Sequence, residues 1–166
     1  MLSRDVARAV NQRRDALGRY LAYGIVRYRL RSVSNLRTVT CPCCGYMTLS
    51  DQGYDTCGIC RWFDDGLDDG SADEMSCTAN DGLTLSQGRE LFRSRLTIVN
   101  EHSSEYLDEQ ELLPAKYDIV SRFDRLVSGV APRLFFDSFS AIQQDLKVLS
   151  SRRTKLIRAR IAKLKN

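Results

Sequence analysis

Five of the chain's six cysteines lie between residues 41 and 60, as CPCC at 41–44 and CGIC at 57–60. Clustered thiols bind metal, pair as disulfides or exchange electrons, and their spacing helps to separate these uses. Cys41 and Cys44 are two residues apart, as are Cys57 and Cys60. Two such knuckles supply four thiolates at tetrahedral angles around one Zn²⁺ at about 2.3 Å. Pro42 stiffens the first turn, Gly45 follows it directly and Gly58 stands inside the second. Glycine admits the backbone conformations that aim amide N–H groups at sulfur. The predicted centre is a closed Cys₄ site of Cys41, Cys44, Cys57 and Cys60 holding one structural zinc. Iron fits the same cage, and zinc is preferred because the chain carries no other redox cue.

Two disulfides would need an oxidising compartment, and a thioredoxin-type pair would need one C-x-x-C beside a βαβ pattern. At 166 residues the chain buries roughly two thirds of its unfolded surface, so its core needs no covalent staples. Cys43, between ligands, is expected to point away from the metal, and Cys77 to be a spectator. A closed four-sulfur shell leaves no place for water or substrate, so it folds the module without catalysing. Elsewhere catalytic chemistry is sparse. His102 is the only histidine, and no phosphate-binding glycine loop is present. The acid pairs Asp64–Asp65 and Asp68–Asp69 fit a divalent cation in principle, but a solvated loop is the simpler reading. The chain is expected not to be an enzyme.

The elements around the cysteines follow from periodicity. A first helix is capped by Ser3, with Val6, Val10, Leu17, Leu21, Ile25 and Tyr28 along one stripe. LRTVT, YMTLS and GYDTC read as short strands of hairpins hung on the metal. Residues 64–82 read as an exposed acidic loop. Thr84 and Gln87 form a capping box opening a helix that ends near Asn100, with Leu85, Leu91, Phe92 and Leu96 on its inner face. A polar connection, EHSSEYLDEQE, leads to a helix with Pro114 in its first turn and Gly129 at its end. A last helix carries Ile142, Leu146, Leu149, Leu156 and Leu164 at near-heptad spacing. Arg153 and Arg160 interrupt that seam, which predicts a helix packed on its own chain and not a long coiled coil. The expected fold is α+β: a small Cys₄ zinc ribbon with short antiparallel strands among several helices. The expected organisation is a basic amphipathic helix over 1–36, the zinc module and its following helix over 37–101, and a helical extension over 102–166.

Charge is segregated. Residues 1–37 hold nine arginines against Asp5 and Asp15, residues 64–81 hold seven acids and no base, and from Lys147 onward all charges are basic. Such asymmetry permits contact with nucleic acid or with acidic protein. No apolar run reaches membrane-spanning length, LAYGIV at 21–26 has no signal-peptide context, and a cytoplasmic address is expected.

CPCCG at 41–45, CGIC at 57–60, RWFDDG at 61–66 and GLTLSQGRELF at 82–92 resemble the cysteine-rich CPCC domain of bacteria over about residues 39–100. The chain departs from that pattern at Phe63, where members commonly have Glu. It departs again at TANDG (78–82), where they usually carry a Gly-Gly-Pro-Asn-like segment. Members occur among small proteins encoded near secreted bacterial toxins. The resemblance therefore implies an immunity protein that binds and neutralises a cognate toxin.

On that reading Trp62 and Phe63, rimmed by Asp64, Asp65, Asp68 and Asp69, form an aromatic anchor with an acidic border suited to a basic partner cleft. Trp62 has a second reading, as packing over the metal knuckle. The alternative function is nucleic-acid binding by the basic terminal helices, and those helices also admit a homodimer. A membrane-surface role is disfavoured because they lack a broad apolar face.

Overall fold

In the computed structural model the chain is described over residues 4–28, 37–50 and 54–165. Among these residues five α-helices and one two-stranded antiparallel sheet make an α+β fold: α1 (Arg4–Tyr28), β1 (Val39–Thr40), β2 (Met47–Leu49), α2 (Leu85–Arg95), α3 (Ser104–Glu111), α4 (Leu113–Val127) and α5 (Pro132–Leu164). Val39 pairs with Leu49 and Thr40 with Met47 across the sheet. The expected strand over GYDTC reduces to a single bridge, Thr56 to Phe63. Ser3, Leu36, Gly53 and the side chains of Ile25 and Tyr28 lie outside the described residues.

Four of the five helices form where the apolar stripes predict them, and each difference has a physical cause. In α1, Val6, Val10 and Leu17 are buried. The Thr84 capping box opens α2: the Gln87 amide donates to the Thr84 hydroxyl at 3.1 Å, and the Thr84 amide to the Gln87 side chain at 2.8 Å. This helix ends at Arg95 and not near Asn100, because Leu96 takes a left-handed conformation (φ 56°). Just beyond this turn the Ile98 amide donates to the Cys60 carbonyl at 2.9 Å. The polar stretch expected as a connection contains α3. Its Glu109 is buried against cations from α4 and α5, and this pairing gives a polar helix a reason to dock.

At about 1.5 Å per residue, α5 is a rod of roughly 50 Å that packs on α4, α1 and α3. Phe135, Phe139, Ile142, Leu146 and Leu149 fill its inner face. Arg153 and Arg160 do not spoil the seam; they are its polar end. Arg153 meets Glu109, and Arg160 reaches Asp108 at 3.0 Å and Ser104 at 2.6 Å. The core is one continuous cluster in which the cysteines join Leu17, Tyr46, Trp62, Phe123 and Phe135. Tyr46 stacks on Phe123 at 5.0 Å, its hydroxyl donates to Asp124 at 2.6 Å, and Arg13 of α1 lies 4.8 Å over its ring.

Gly45 is where α1 meets the first knuckle. It has φ +82°, and a Cβ there would lie 2.8 Å from the Val10 carbonyl oxygen. Gly45→Ala combines a disfavoured backbone with a contact that neither backbone can relieve. We expect a loss of about 2–4 kcal/mol in denaturant unfolding of the metal-loaded protein.

Candidate metal centre

The two knuckles are built alike. The Gly45 amide donates to the Cys41 carbonyl at 2.8 Å, and the Arg61 amide to the Cys57 carbonyl at 3.1 Å. The Cys41 amide donates to the Tyr46 carbonyl at 2.9 Å, and the Cys57 amide to the Trp62 carbonyl at 2.8 Å. The residue after each second cysteine is left-handed, Gly45 in one and Arg61 (φ 74°) in the other. This corrects the expectation for Gly58, which is not the left-handed position of the second turn. Its carbonyl instead accepts from Arg153 of α5 at 3.0 Å.

The four thiols converge. Cys41, Cys44, Cys57 and Cys60 are wholly buried, and their sulfurs all lie within 4.8 Å of one another. Cys41 Sγ is 3.6 Å from Cys60 Sγ, and Cys44 Sγ is 3.7 Å from Cys57 Sγ. A tetrahedron with metal–sulfur bonds of about 2.3 Å has edges of about 3.8 Å, so these spacings fit one metal ion. They are far from the roughly 2.05 Å of a disulfide. Amides of Ile59 and Cys60 point at Cys57 Sγ, and that of Trp62 at Cys60 Sγ, each at 3.4 Å. The Thr48 hydroxyl lies 3.0 Å from Cys57 Sγ.

Burial pushes the Cys41, Cys44 and Cys60 thiols up. Burial acts on Cys57 in the same sense, but hydrogen bonds from the other three thiols and Thr48 outweigh it and hold Cys57 low. Four thiolates do not coexist in such a site without a cation, and a divalent metal is the cation that the spacing admits. The four cysteines are thus positioned to bind a metal ion.

Arginines from three helices clamp the knuckle backbone. Arg89 of α2 donates twice to the Pro42 carbonyl, at 3.0 and 2.9 Å. Arg13 of α1 donates to the Cys44 carbonyl at 3.2 Å, and Arg153 of α5 serves Gly58. A divalent metal with four thiolates carries a net charge of about −2, so these cations favour the loaded site as well as fixing its shape.

Arg153 is fixed in turn by Glu109, whose Oε1 it meets at 2.5 Å and Oε2 at 3.2 Å. Lys116 Nζ also binds Glu109 and donates to the Leu96 carbonyl at 3.1 Å. Burial alone would raise the Glu109 carboxyl, but Arg153 and Lys116 hold it below the usual range.

The remaining candidate residues separate clearly. Cys43 is buried outside the four-thiol set, its sulfur against Gly88 of α2. Cys77 is exposed. Trp62 is wholly buried, its ring lying where a Cβ on Gly88 would come within 2.8 Å. It packs under the knuckle and is not a surface anchor, because α2 covers it. Phe63, the next residue, is half-buried, with its ring 6.4 Å from that of Tyr54.

The acidic loop is not a free excursion: it contains two 3₁₀ turns, over Asp69–Ser71 and Thr78–Asn80. Asp68 caps the first turn and grips Arg14 of α1 at 2.6 and 2.9 Å. Asp69 binds Arg89 at 2.5 Å and Asn11 at 2.7 Å. Asp65 accepts from Ser76 and from the Cys77 amide, and Asp64 from the Gly66 amide at 3.4 Å. Among the described residues the acids form no metal-ligating group; the four-cysteine set is the only one.

Arg13, Arg89, Arg153, Glu109 and Lys116 escape a reading based on cysteine spacing. The signal available for three of them is a cation set in an apolar stripe: Arg89 four residues after Leu85, Lys116 three before Ile119, and Arg153 four after Leu149. Glu109 sits in a polar run and gives no such signal.

Residues 39–110 match the family model described as Cysteine-rich CPCC. The match extends past the expected end near residue 100 to include Glu109, and stops before Lys116 and Arg153. No curated protein and no solved structure matches the chain. The paired knuckles, the four converging thiols and the match over both place a cysteine-rich CPCC domain at residues 39–110 of this chain.

Proposed function

We propose that this is a non-enzymatic zinc protein whose Cys₄ centre is structural and whose task is to bind another protein. The most specific form of that proposal, drawn from the family resemblance, is an immunity protein that neutralises a bacterial toxin. A closed centre supports it: four fully buried sulfurs with carbonyls held by three helices form a fold-stabilising site and offer no open coordination position. Zinc suits four thiolates and a site with no accompanying redox group.

The observation that carries the binding role is a set of exposed aromatic and Met side chains, with nearby acids in the chain that make no ion pair among the described residues. Tyr54 and Met75 are each 80% exposed. The Tyr54 ring stands 6.4 Å from that of Phe63. Buried Asn80 ties this group together, accepting from the Phe63 amide at 2.8 Å and donating to the Phe63 carbonyl at 2.9 Å and to Ser76 at 2.7 Å. Asp73 and Glu74, which precede Met75, and Asp81, which follows Asn80, are exposed. Exposed aromatic and Met side chains with an acidic border suit a basic protein surface. Of the anchor expected at Trp62 and Phe63, Phe63 is kept and Tyr54 and Met75 join it; Asp68 and Asp69 are tied to arginines, whereas Asp64, Asp65, Asp73, Glu74 and Asp81 make no ion pair among the described residues.

The test is co-purification with the toxic C-terminal domain of a secreted protein encoded beside this one, with rescue of growth when both are expressed. Tyr54→Ala with Phe63→Ala is expected to weaken that complex at least about tenfold, as truncation of interface anchors does, with unfolding temperature and zinc content unchanged. A folded, zinc-loaded chain that neither binds nor protects would refute the reading.

A further inference from the structure

We infer that the solvent face of the C-terminal half of α5 is a binding surface for the phosphate backbone of duplex nucleic acid, independent of the aromatic and acidic surface above. Residues 147–165 hold eight basic residues and no acid. The structure divides these eight. Arg153 and Arg160 turn inward to Glu109 and Asp108. Lys147, Arg152, Lys155, Arg158, Lys163 and Lys165 are exposed, with no ion pair among the described residues.

Their placement on the helix is ordered. At 100° per residue, Lys147, Arg158 and Lys165 fall within about 20° of one line, roughly 120–180° from the buried edge of Ile142, Leu149 and Arg153, with Lys155 about 60–80° round the helix from them. The line runs about 27 Å along the axis at 1.5 Å per residue, the length of roughly eight phosphates on one strand at 3.4 Å each.

Three observations select the occupant. A strip without a single acid matches a surface of uniform negative charge better than a protein surface, where both signs are interspersed. The inner face of α5 is spent on the core through Leu149 and then on α3 through Arg153 and Arg160, so no broad apolar face is left for a lipid interface. The N-terminal helix is a weaker candidate, because Arg13 and Arg14 are spent on Asp124 and Asp68 and Arg8 lies beside Asp5. The strip bears no aromatic side chain and no base-reading group, so recognition is of backbone charge without sequence preference.

The test is fluorescence anisotropy of the 166-residue, zinc-loaded chain with a labelled random-sequence DNA duplex of about 20 base pairs, across a salt series. Expected is micromolar binding at about 50 mM salt, with log K falling against log salt at a slope of about −3 to −4 for four phosphates. Replacing Lys147, Lys155, Arg158 and Lys165 together by Gln is expected to weaken binding at least about tenfold and to reduce that slope. The control replaces exposed Arg4, Arg8, Arg19 and Arg133 by Gln, which removes the same charge elsewhere; its expected loss is under about twofold. Both variants are checked for native circular dichroism and one zinc per chain. Absence of binding at low salt, equal losses in the two variants, or displacement of the duplex by polyglutamate or phosphatidylserine vesicles at equal charge would each overturn the assignment.

Discussion

Cys57→Ser is expected to abolish stoichiometric zinc binding and to unfold the knuckles together with the helix ends that rest on them. Structural zinc contributes about 10–16 kcal/mol in small four-ligand sites, as much as the whole stability of an ordinary domain, about 5–15 kcal/mol. Cys57 is the most heavily supported ligand, with two backbone amides and the Thr48 hydroxyl directed at its sulfur. Its loss strands those donors and leaves three buried thiols without a metal to justify their ionisation. The damage spreads because Arg13, Arg89 and Arg153 hold knuckle carbonyls from three helices. Zinc released per chain on thiol modification, read beside thermal unfolding, checks this: one equivalent for the parent protein, none for the variant. Cys41→Ser should behave alike. Cys77→Ser, at an exposed position, should be silent. Cys43→Ser should keep one zinc and lose only about 1–3 kcal/mol for a buried hydroxyl against Gly88. A Cys57→Ser protein with full zinc and a native melting curve would exclude the four-cysteine centre.

Glu109→Ala is expected to cost about 3–5 kcal/mol, the usual result of leaving buried charge without its partner. Lys116 is wholly buried and Arg153 has 7% of its side chain exposed, so neither recovers hydration when the carboxylate is removed. Replacing Glu109, Lys116 and Arg153 together by Leu, Met and Met should restore most of the stability, because an apolar set avoids the desolvation of three ions. That variant should still release zinc faster, since Gly58 loses its donor. Denaturant unfolding of the single and triple variants tests the stabilities, and the rate of zinc transfer to a chelator tests the release.

Acid provides a further check. Glu109 has a depressed folded pKa, so its contribution is complete above the ordinary glutamate range and is lost as pH falls through the folded value. The stability gap between the parent protein and Glu109→Ala should therefore narrow in acid. An undiminished gap at low pH would show that Glu109 acts by packing alone.

The four ligands were legible because the chemistry dictates short spacings within each knuckle. Helix positions were legible where one stripe of apolar residues meets one core, as in α4 with Ile119 and Phe123. The α2 capping box could be read from two residues, but its end could not, since Leu96 turns left-handed to bring Ile98 to Cys60, a tertiary demand. Trp62 and Phe63 are adjacent and chemically alike in sequence; only the position of Gly88 decides which is covered. Likewise Asp68 and Asp69 differ from Asp73 only in having Arg14, Asn11 and Arg89 within reach. The buried ions were the least legible. Arg153 looks like a defect in a hydrophobic repeat until Glu109, 44 residues earlier, is placed beside it.

The contact between Arg153 and the Gly58 carbonyl spans 95 residues of sequence. At about 5–20 residues per second of synthesis, the second knuckle emerges on the order of 5–20 seconds before the side chain that completes its surroundings. Until then the second knuckle has its own turn, Thr48 at Cys57 and, once it has emerged, Ile98 at Cys60, but not Arg153 at Gly58. The Gly58 carbonyl thus gains its buried cationic partner only once α5 has been made, so the surroundings of the second knuckle are completed last.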